Sequence, residues 1–231
     1  GTMQDFGERL PGGRAVAILE LIDDISRYQI PLGASGEAAI SVASPRPFFQ
    51  GTRHLTSKEK VLSPADMKGK KYRGVPVKLW SSMLTGMGAV ATPVEVSELA
   101  TALATGLVVG QENPLPNIFN LKLFEVQKYV MLTGHMQSVL STFVNEKVWQ
   151  GIPAADRKII EDTMYEVGQK TLQWDKDTFD KYRKDLEAKG MTFIEAKDGL
   201  DLDAFRKAVL AQIARDFPEW TGYIAQIQAV K

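Results

Sequence analysis

Cysteine is absent from the 231 residues. That excludes disulfides, thiolate metal sites and cysteine nucleophiles, and it fits an oxidising compartment as well as a cytosolic one. Histidine is scarce: His54 and His135 are the only two, and neither has a second imidazole at metal-ligand spacing, so no metal site is expected. Net charge is missing as well. The 28 basic residues cancel the 28 acidic ones, leaving no whole-chain field to draw nucleic acid or an anionic membrane surface. No apolar run reaches the roughly 18 residues of a spanning helix, and no signal peptide is legible. Gly1-Thr2-Met3 reads as a cloning remnant, which is compatible with a leader removed from the natural start.

Catalytic signatures are lacking too. There is no G-x-S-x-G elbow. The glycines of "TGMGAVA", Gly86 and Gly88, have neither the third glycine of a dinucleotide loop nor the lysine of a phosphate loop. Carboxylate pairs such as Asp23 and Asp24, or Glu95 and Glu98, are what any exposed helix carries. No catalytic residue and no cofactor is therefore assigned.

What is present is a globular composition, 44% apolar and 24% charged, enough for one large domain or two small lobes. From residue 60 the pattern alternates short strands and helices. In "SPADMKG", Ser63 caps, Pro64 opens and Asp66 closes a one-turn helix that Gly69 stops. "YRGVPV" reads as a strand, "LWSSMLTGMG" as a helix and "AVAT" as a strand. "EVSELATALATG" is an amphipathic helix ending at a left-handed Gly106, "LVVG" is the next strand, and "QENP" is the loop that follows it. Such βαβ units imply parallel pairing, with ligands outside the carboxyl ends of the strands. "KYVMLTG" and "SVLSTFVN" read as two further strands. A helix over about 153–189 follows, roughly 50 Å long at ~1.5 Å per residue, enough to run through two lobes. "MTFIEA" is a strand and "LDAFRKAVLAQIARDF" a last helix. In the first fifty residues only "AVAILELIDDISRY" looks helical.

Two arginines stand out. Arg73 lies inside an apolar-flanked strand, and Arg53 follows Gly51-Thr52. A guanidinium in a sheet faces a desolvation cost of several kcal/mol unless an anion meets it. One reading is an internal carboxylate partner or a side chain snorkelling to solvent. The other is a carboxylate receptor, where the planar fork makes two parallel bonds and a neutral amide such as Asn113 adds a donor.

"GTRHLTS", "SPADMKGKKYRGVP", "GAVATPVEVSELATALATG", "GQENPLPNIFNLKLFEVQKYVMLTGH" and "NEKVWQGIPAADRKIIEDT", in this order, resemble the extracytoplasmic solute-binding subunit of tripartite ATP-independent periplasmic (TRAP) transporters. The resemblance covers about residues 51–231. It implies an α/β fold of two lobes, with a long helix crossing both, that captures a small organic carboxylate in the periplasm and delivers it to a membrane permease. It implies no enzymatic activity. The lobes expected are 1–50 with 137–177, a partial N-terminal lobe, and 51–136 with 178–231. By the same resemblance Arg73 holds the carboxylate, Arg53 a second oxygen, and Asn113 donates from the strand end. Val96, Pro76 and Gln137 are expected near the pocket, with Gln111 and Glu112 bracing the loop or hinge.

The chain departs from the family at Val109, where an aspartate is usual, at Val96 and Ala100, where aromatics are usual, and at Pro76. The pocket is thus expected to be more apolar, and a sialic-type sugar acid is disfavoured. Residues 1–50 match nothing in the pattern. A rival reading is an α/β enzyme on a keto or hydroxy acid, with Arg73 holding substrate and His135 or His54 as base.

Overall fold

Val130 and Met131 are adjacent and fully buried, yet they pack into different cores. Successive side chains of a strand point to opposite faces, so a strand with both faces covered requires helices on both sides of the sheet. The computed structural model describes residues 40–41, 48–140 and 144–229, and the helix expected within 15–28 lies outside them.

The chain forms two compact units. One comprises Gly1–Gln50 and Val139–Lys176, the other Gly51–Ser138 and Asp177–Lys231. In chain order the described strands and helices are β1 (Ile40–Ser41), β2 (Phe48–Ser57), α1 (Pro64–Met67), β3 (Lys71–Gly74), α2 (Lys78–Gly86), β4 (Val90–Pro93), α3 (Leu99–Thr105), β5 (Gly110–Asn113), α4 (Leu115–Asn120), β6 (Tyr129–Leu140), β7 (Val144–Asn145), α5 (Glu146–Gly151), α6 (Ala154–Ala188), β8 (Thr192–Ile194), α7 (Leu202–Asp216) and α8 (Thr221–Ala229).

In the first unit β1 pairs antiparallel with β7, and Asn145 caps α5 through its Oδ1, which accepts from Val148 N at 3.3 Å. The second unit is built on a sheet of order β4-β3-β5-β2-β6-β8. Strands β3, β4 and β5 are parallel neighbours, as the βαβ pattern requires, and β6 is parallel to β8. β2 enters antiparallel to β5, with His54 opposite Asn113 and Thr56 opposite Gln111, so the sheet is mixed rather than wholly parallel. One face carries Leu55, Tyr72, Met83, Leu84, Met131 and Phe205. The other carries Leu99, Leu103, Ile118, Val130, Leu186 and Phe193.

Local chemistry explains most boundaries. Asp66 accepts from the backbone of Leu62 and Ser63 and closes the capping box of α1. Gly106 stops α3 at φ 78°, a conformation that costs a Cβ-bearing residue about 1 kcal/mol or more. The 35-residue α6 carries the i,i+4 pairs Lys158–Asp162, Glu166–Lys170, Lys181–Asp185 and Arg183–Glu187 on its surface.

Two expectations are corrected. Residues 111–113 are not a loop. The strand begins at Gly110, where a Cβ would come within 2.3 Å of the Tyr72 ring and 2.4 Å of Thr56 O, and it runs through Gln111, Glu112 and Asn113, all buried. The two strands expected over 128–145 are one long β6, with the separate short β7 beyond it. Gly134 adopts φ 52° and donates its N–H to His54 Nδ1 at 3.1 Å, so the "TGH" segment reorients the strand locally without ending it.

Candidate functional site

Arg73, Asn113 and Val94 mark the carboxyl ends of β3, β5 and β4, the edge at which ligands meet sheets of parallel strands. Three consecutive polar residues can be buried in β5 because each is given partners. Gln127 Oε1 accepts from Thr56 Oγ1 at 3.1 Å, and Thr56 Oγ1 accepts from Gln111 Nε2 at 2.9 Å. Gln111 Oε1 accepts from Asn113 Nδ2 at 2.5 Å, and Asn113 Oδ1 accepts from Arg53 Nη2 at 3.0 Å. The chain of bonds continues from Arg53 into Glu112.

Glu112 is fully buried and is the hub. Its Oε2 accepts from Arg53 Nε at 2.5 Å and lies 3.2 Å from His135 Nε2. Its Oε1 accepts from Arg53 Nη2 at 2.8 Å and from Trp80 Nε1 at 3.0 Å. Burial alone would raise this carboxyl, but the bonds from His135 and Arg53 outweigh it and hold the group below the usual carboxylate range. The Trp80 ring also lies 5.8 Å from the Arg53 guanidinium. His135 is held from its other nitrogen by Thr133 Oγ1 at 2.7 Å.

The two arginines therefore differ. The anion that meets Arg53 is the chain's own Glu112. Arg73, only 3% exposed, has its Nε bonded to Val94 O at 2.7 Å, and among the described residues no carboxylate lies within ion-pair distance of it. Burial pushes the Arg73 guanidinium down and Arg53 pushes it further, while Glu112 and Glu95 oppose both.

The remaining expected residues are more dispersed. Asn113 sits beside Arg53 at the strand end. Gln111 is fully buried and braces Asn113, and Glu112 braces Arg53. Val96 lies in a 3-10 turn over Val96–Glu98 and is 53% exposed. Pro76 is half-buried in the connection from β3 to α2. Gln137 is exposed on β6, where its Oε1 accepts from Thr52 Oγ1 at 3.1 Å. His54 is buried, its Nδ1 taken by Gly134, and its Nε2 is without a partner. A cavity of about 560 Å³ opens against Thr133, Gly134 and His135, walled mainly by α7, and neither Arg73 nor Asn113 lines it. Trp80 and Thr133 were missed at the sequence level, because a tryptophan on a helix and a threonine in a strand read there as ordinary core and strand residues.

Arg73 is thus a buried cation at the strand ends of an α/β sheet, without an ion-pair partner among the described residues. The family "DctP: Bacterial extracellular solute-binding protein, family 7" matches residues 48–218, and the chain belongs to it. It is 32% identical over 201 residues to a solute-binding protein of Roseobacter denitrificans, covering 86% of this chain and 62% of that protein. It is 34% identical over 167 residues to the sialic acid-binding periplasmic protein SiaP of Vibrio cholerae, covering 70% of this chain and 49% of SiaP. Among solved structures, a TRAP periplasmic solute-binding protein of Actinobacillus succinogenes with bound L-galactonate superposes with a TM-score of 0.73. That match has 31% identity and covers 79% of this chain and 59% of that one. The chain thus spans about half to three-fifths of the length of these relatives.

Proposed function

We propose that this chain is the ligand-gripping part of a periplasmic solute-binding protein that captures a small organic carboxylate and passes it to the membrane permease of a TRAP transporter. Arg73 carries the reading. A guanidinium 3% exposed, bonded to one backbone carbonyl, keeps N–H donors for a carboxylate in fork geometry. Asn113, with its amide oxygen taken by Arg53 and one N–H by Gln111, has a second N–H to offer. Arg53 stays on Glu112 and acts on the ligand as a fixed neighbour. The compact units correspond in this reading to the two lobes of the family. The relatives above are solute-binding proteins, two with acids in their descriptions, sialic acid and L-galactonate, which makes hydroxylated acids the first class to try.

The test is calorimetric titration with L-galactonate, sialic acid and succinate, on the parent and on Arg73→Ala. Saturable heat with at least one acid, lost in the variant, supports the reading. An Arg73→Ala protein that binds as tightly as the parent overturns it.

A further inference from the structure

One of the partners of Glu112 is on a helix, not on the site strands. Glu112 has about four lone-pair directions, and all four are used: Arg53 Nε and His135 on Oε2, Arg53 Nη2 and Trp80 Nε1 on Oε1. Three of these contacts come from residues of the sheet. The fourth comes from α2, whose third residue is Trp80.

Trp80 is seated next to the anion site. A Cβ built on Gly74, in β3, would lie 3.7 Å from Trp80 Cβ, and the indole N–H of Trp80 reaches Glu112 on β5. The same ring is close to Arg53. It therefore contacts both members of the internal pair.

We propose that Trp80 is a positioning residue of the anion site, acting through Glu112: its indole N–H keeps Glu112 turned onto Arg53, so that one open cationic fork rather than two faces the ligand, and acids with one carboxylate are selected over acids with two. The inference rests on the carboxylate-binding reading of Arg73. With Glu112 ionised, Arg53, Arg73 and Glu112 sum to a single positive charge. With Glu112 protonated or turned away they sum to two, and a second carboxylate becomes welcome. Removing one of two donors from Oε1, in a site that water does not reach, weakens the hold on the ionised carboxylate.

The experiment uses selectively ¹³C-labelled glutamate and NMR titration of the whole chain without ligand, in the parent, in Trp80→Phe, and with Trp80 replaced by 3-benzothienylalanine, which has the indole shape with sulfur in place of N–H. Glu112 in both altered proteins should bind its proton about tenfold more tightly than in the parent. The isosteric residue decides the matter where Trp80→Phe fails to fold. Calorimetry from pH 8 to 5 then compares L-galactonate with galactarate, the same carbon chain with a second carboxylate. The parent should keep its preference for L-galactonate throughout, and the altered proteins should move several-fold toward galactarate as pH falls.

An unchanged Glu112 titration overturns the proposal, as does a shifted titration with unchanged discrimination. Should the parent bind neither acid, the functional reading fails for these acids, and the ligand-free titration still decides whether Trp80 positions Glu112.

Discussion

Arg53 and Glu112 meet two atoms against two, Nε on Oε2 at 2.5 Å and Nη2 on Oε1 at 2.8 Å, inside the sheet rather than at its rim. A pair this buried is more a specification than a source of stability, because the desolvation of both ions offsets most of their attraction. It fixes which cation is spoken for. Arg73, one strand beyond β5, is then left as a guanidinium with no carboxylate partner among the described residues.

Breaking the pair from one side should be costly. Glu112→Ala removes the carboxylate that Arg53 meets inside the sheet, and about 3–5 kcal/mol of stability should be lost. The double variant Arg53→Met with Glu112→Leu should cost less than either single change, since no charge is left buried alone. Urea unfolding of the four proteins measures both. Equal or additive losses would show that the two side chains do not depend on each other.

Arg73 should behave in the opposite way. Its removal leaves no internal charge uncompensated, so folding should change little, while carboxylate binding should weaken by about 2–5 kcal/mol, roughly thirtyfold to several thousandfold. Arg73→Lys should fail almost as badly, because an ammonium has one point of charge where the fork has two parallel donors. Calorimetry with the tightest acid of the panel, beside a thermal melt without ligand, separates the binding effect from any folding effect.

Much of this arrangement could be read from residue order, and some could not. Ser63, Pro64 and Asp66 announce α1, Gly106 announces the end of α3, and the apolar spacing of α6 gives its span to within a residue, because caps and periodicity are local signals. Arg73 was legible because a charge in the strand between Tyr72 and Val75 demands a partner. The strand Gln111-Glu112-Asn113 was not. Three polar residues look like a loop until Thr56, Arg53, Trp80 and His135, between 23 and 60 residues away along the chain, are seen to satisfy them. Neither was the pairing of Arg53, for which the sequence allowed an inner or an outer anion equally.

Gly110 is a position with no spare volume. A methyl group there would meet Tyr72 Cε1 at 2.3 Å and Thr56 O at 2.4 Å, and the second of these is backbone that cannot step aside. Overpacking of this kind costs typically about 1–3 kcal/mol, and the backbone contact puts Gly110→Ala at the upper end. Because Gly110 starts the strand that carries Glu112 and Asn113, acid binding should fall along with stability. A Gly110→Ala protein with the parent's melting temperature would mean that β5 is not packed against Tyr72 as described.

His54 makes stability depend on pH. Burial chiefly, and the neighbouring His135 secondarily, lower its pKa from 6.5 to about 3, so the folded chain holds it neutral where the unfolded chain would protonate it. Above pH 6.5 both states are neutral and nothing is lost. Between 6.5 and about 3 the unfolded state binds the extra proton, and stability must fall as pH falls. The loss should be on the order of 1 kcal/mol on going from pH 8 to 5.5, approaching about 5 kcal/mol near pH 3. Glu112 adds to the slope only at lower pH: held below the usual carboxylate range, it contributes stability that is present above the unfolded value and lost as pH falls further. Within pH 8 to 5.5 His54 therefore contributes a slope of this sign. His54→Asn keeps an oxygen to accept from Gly134 N–H and cannot titrate, so its urea midpoints at pH 8 and 5.5 should differ much less than the parent's. A parent whose midpoint is the same at both pH values would mean that this imidazole is not held neutral inside the sheet.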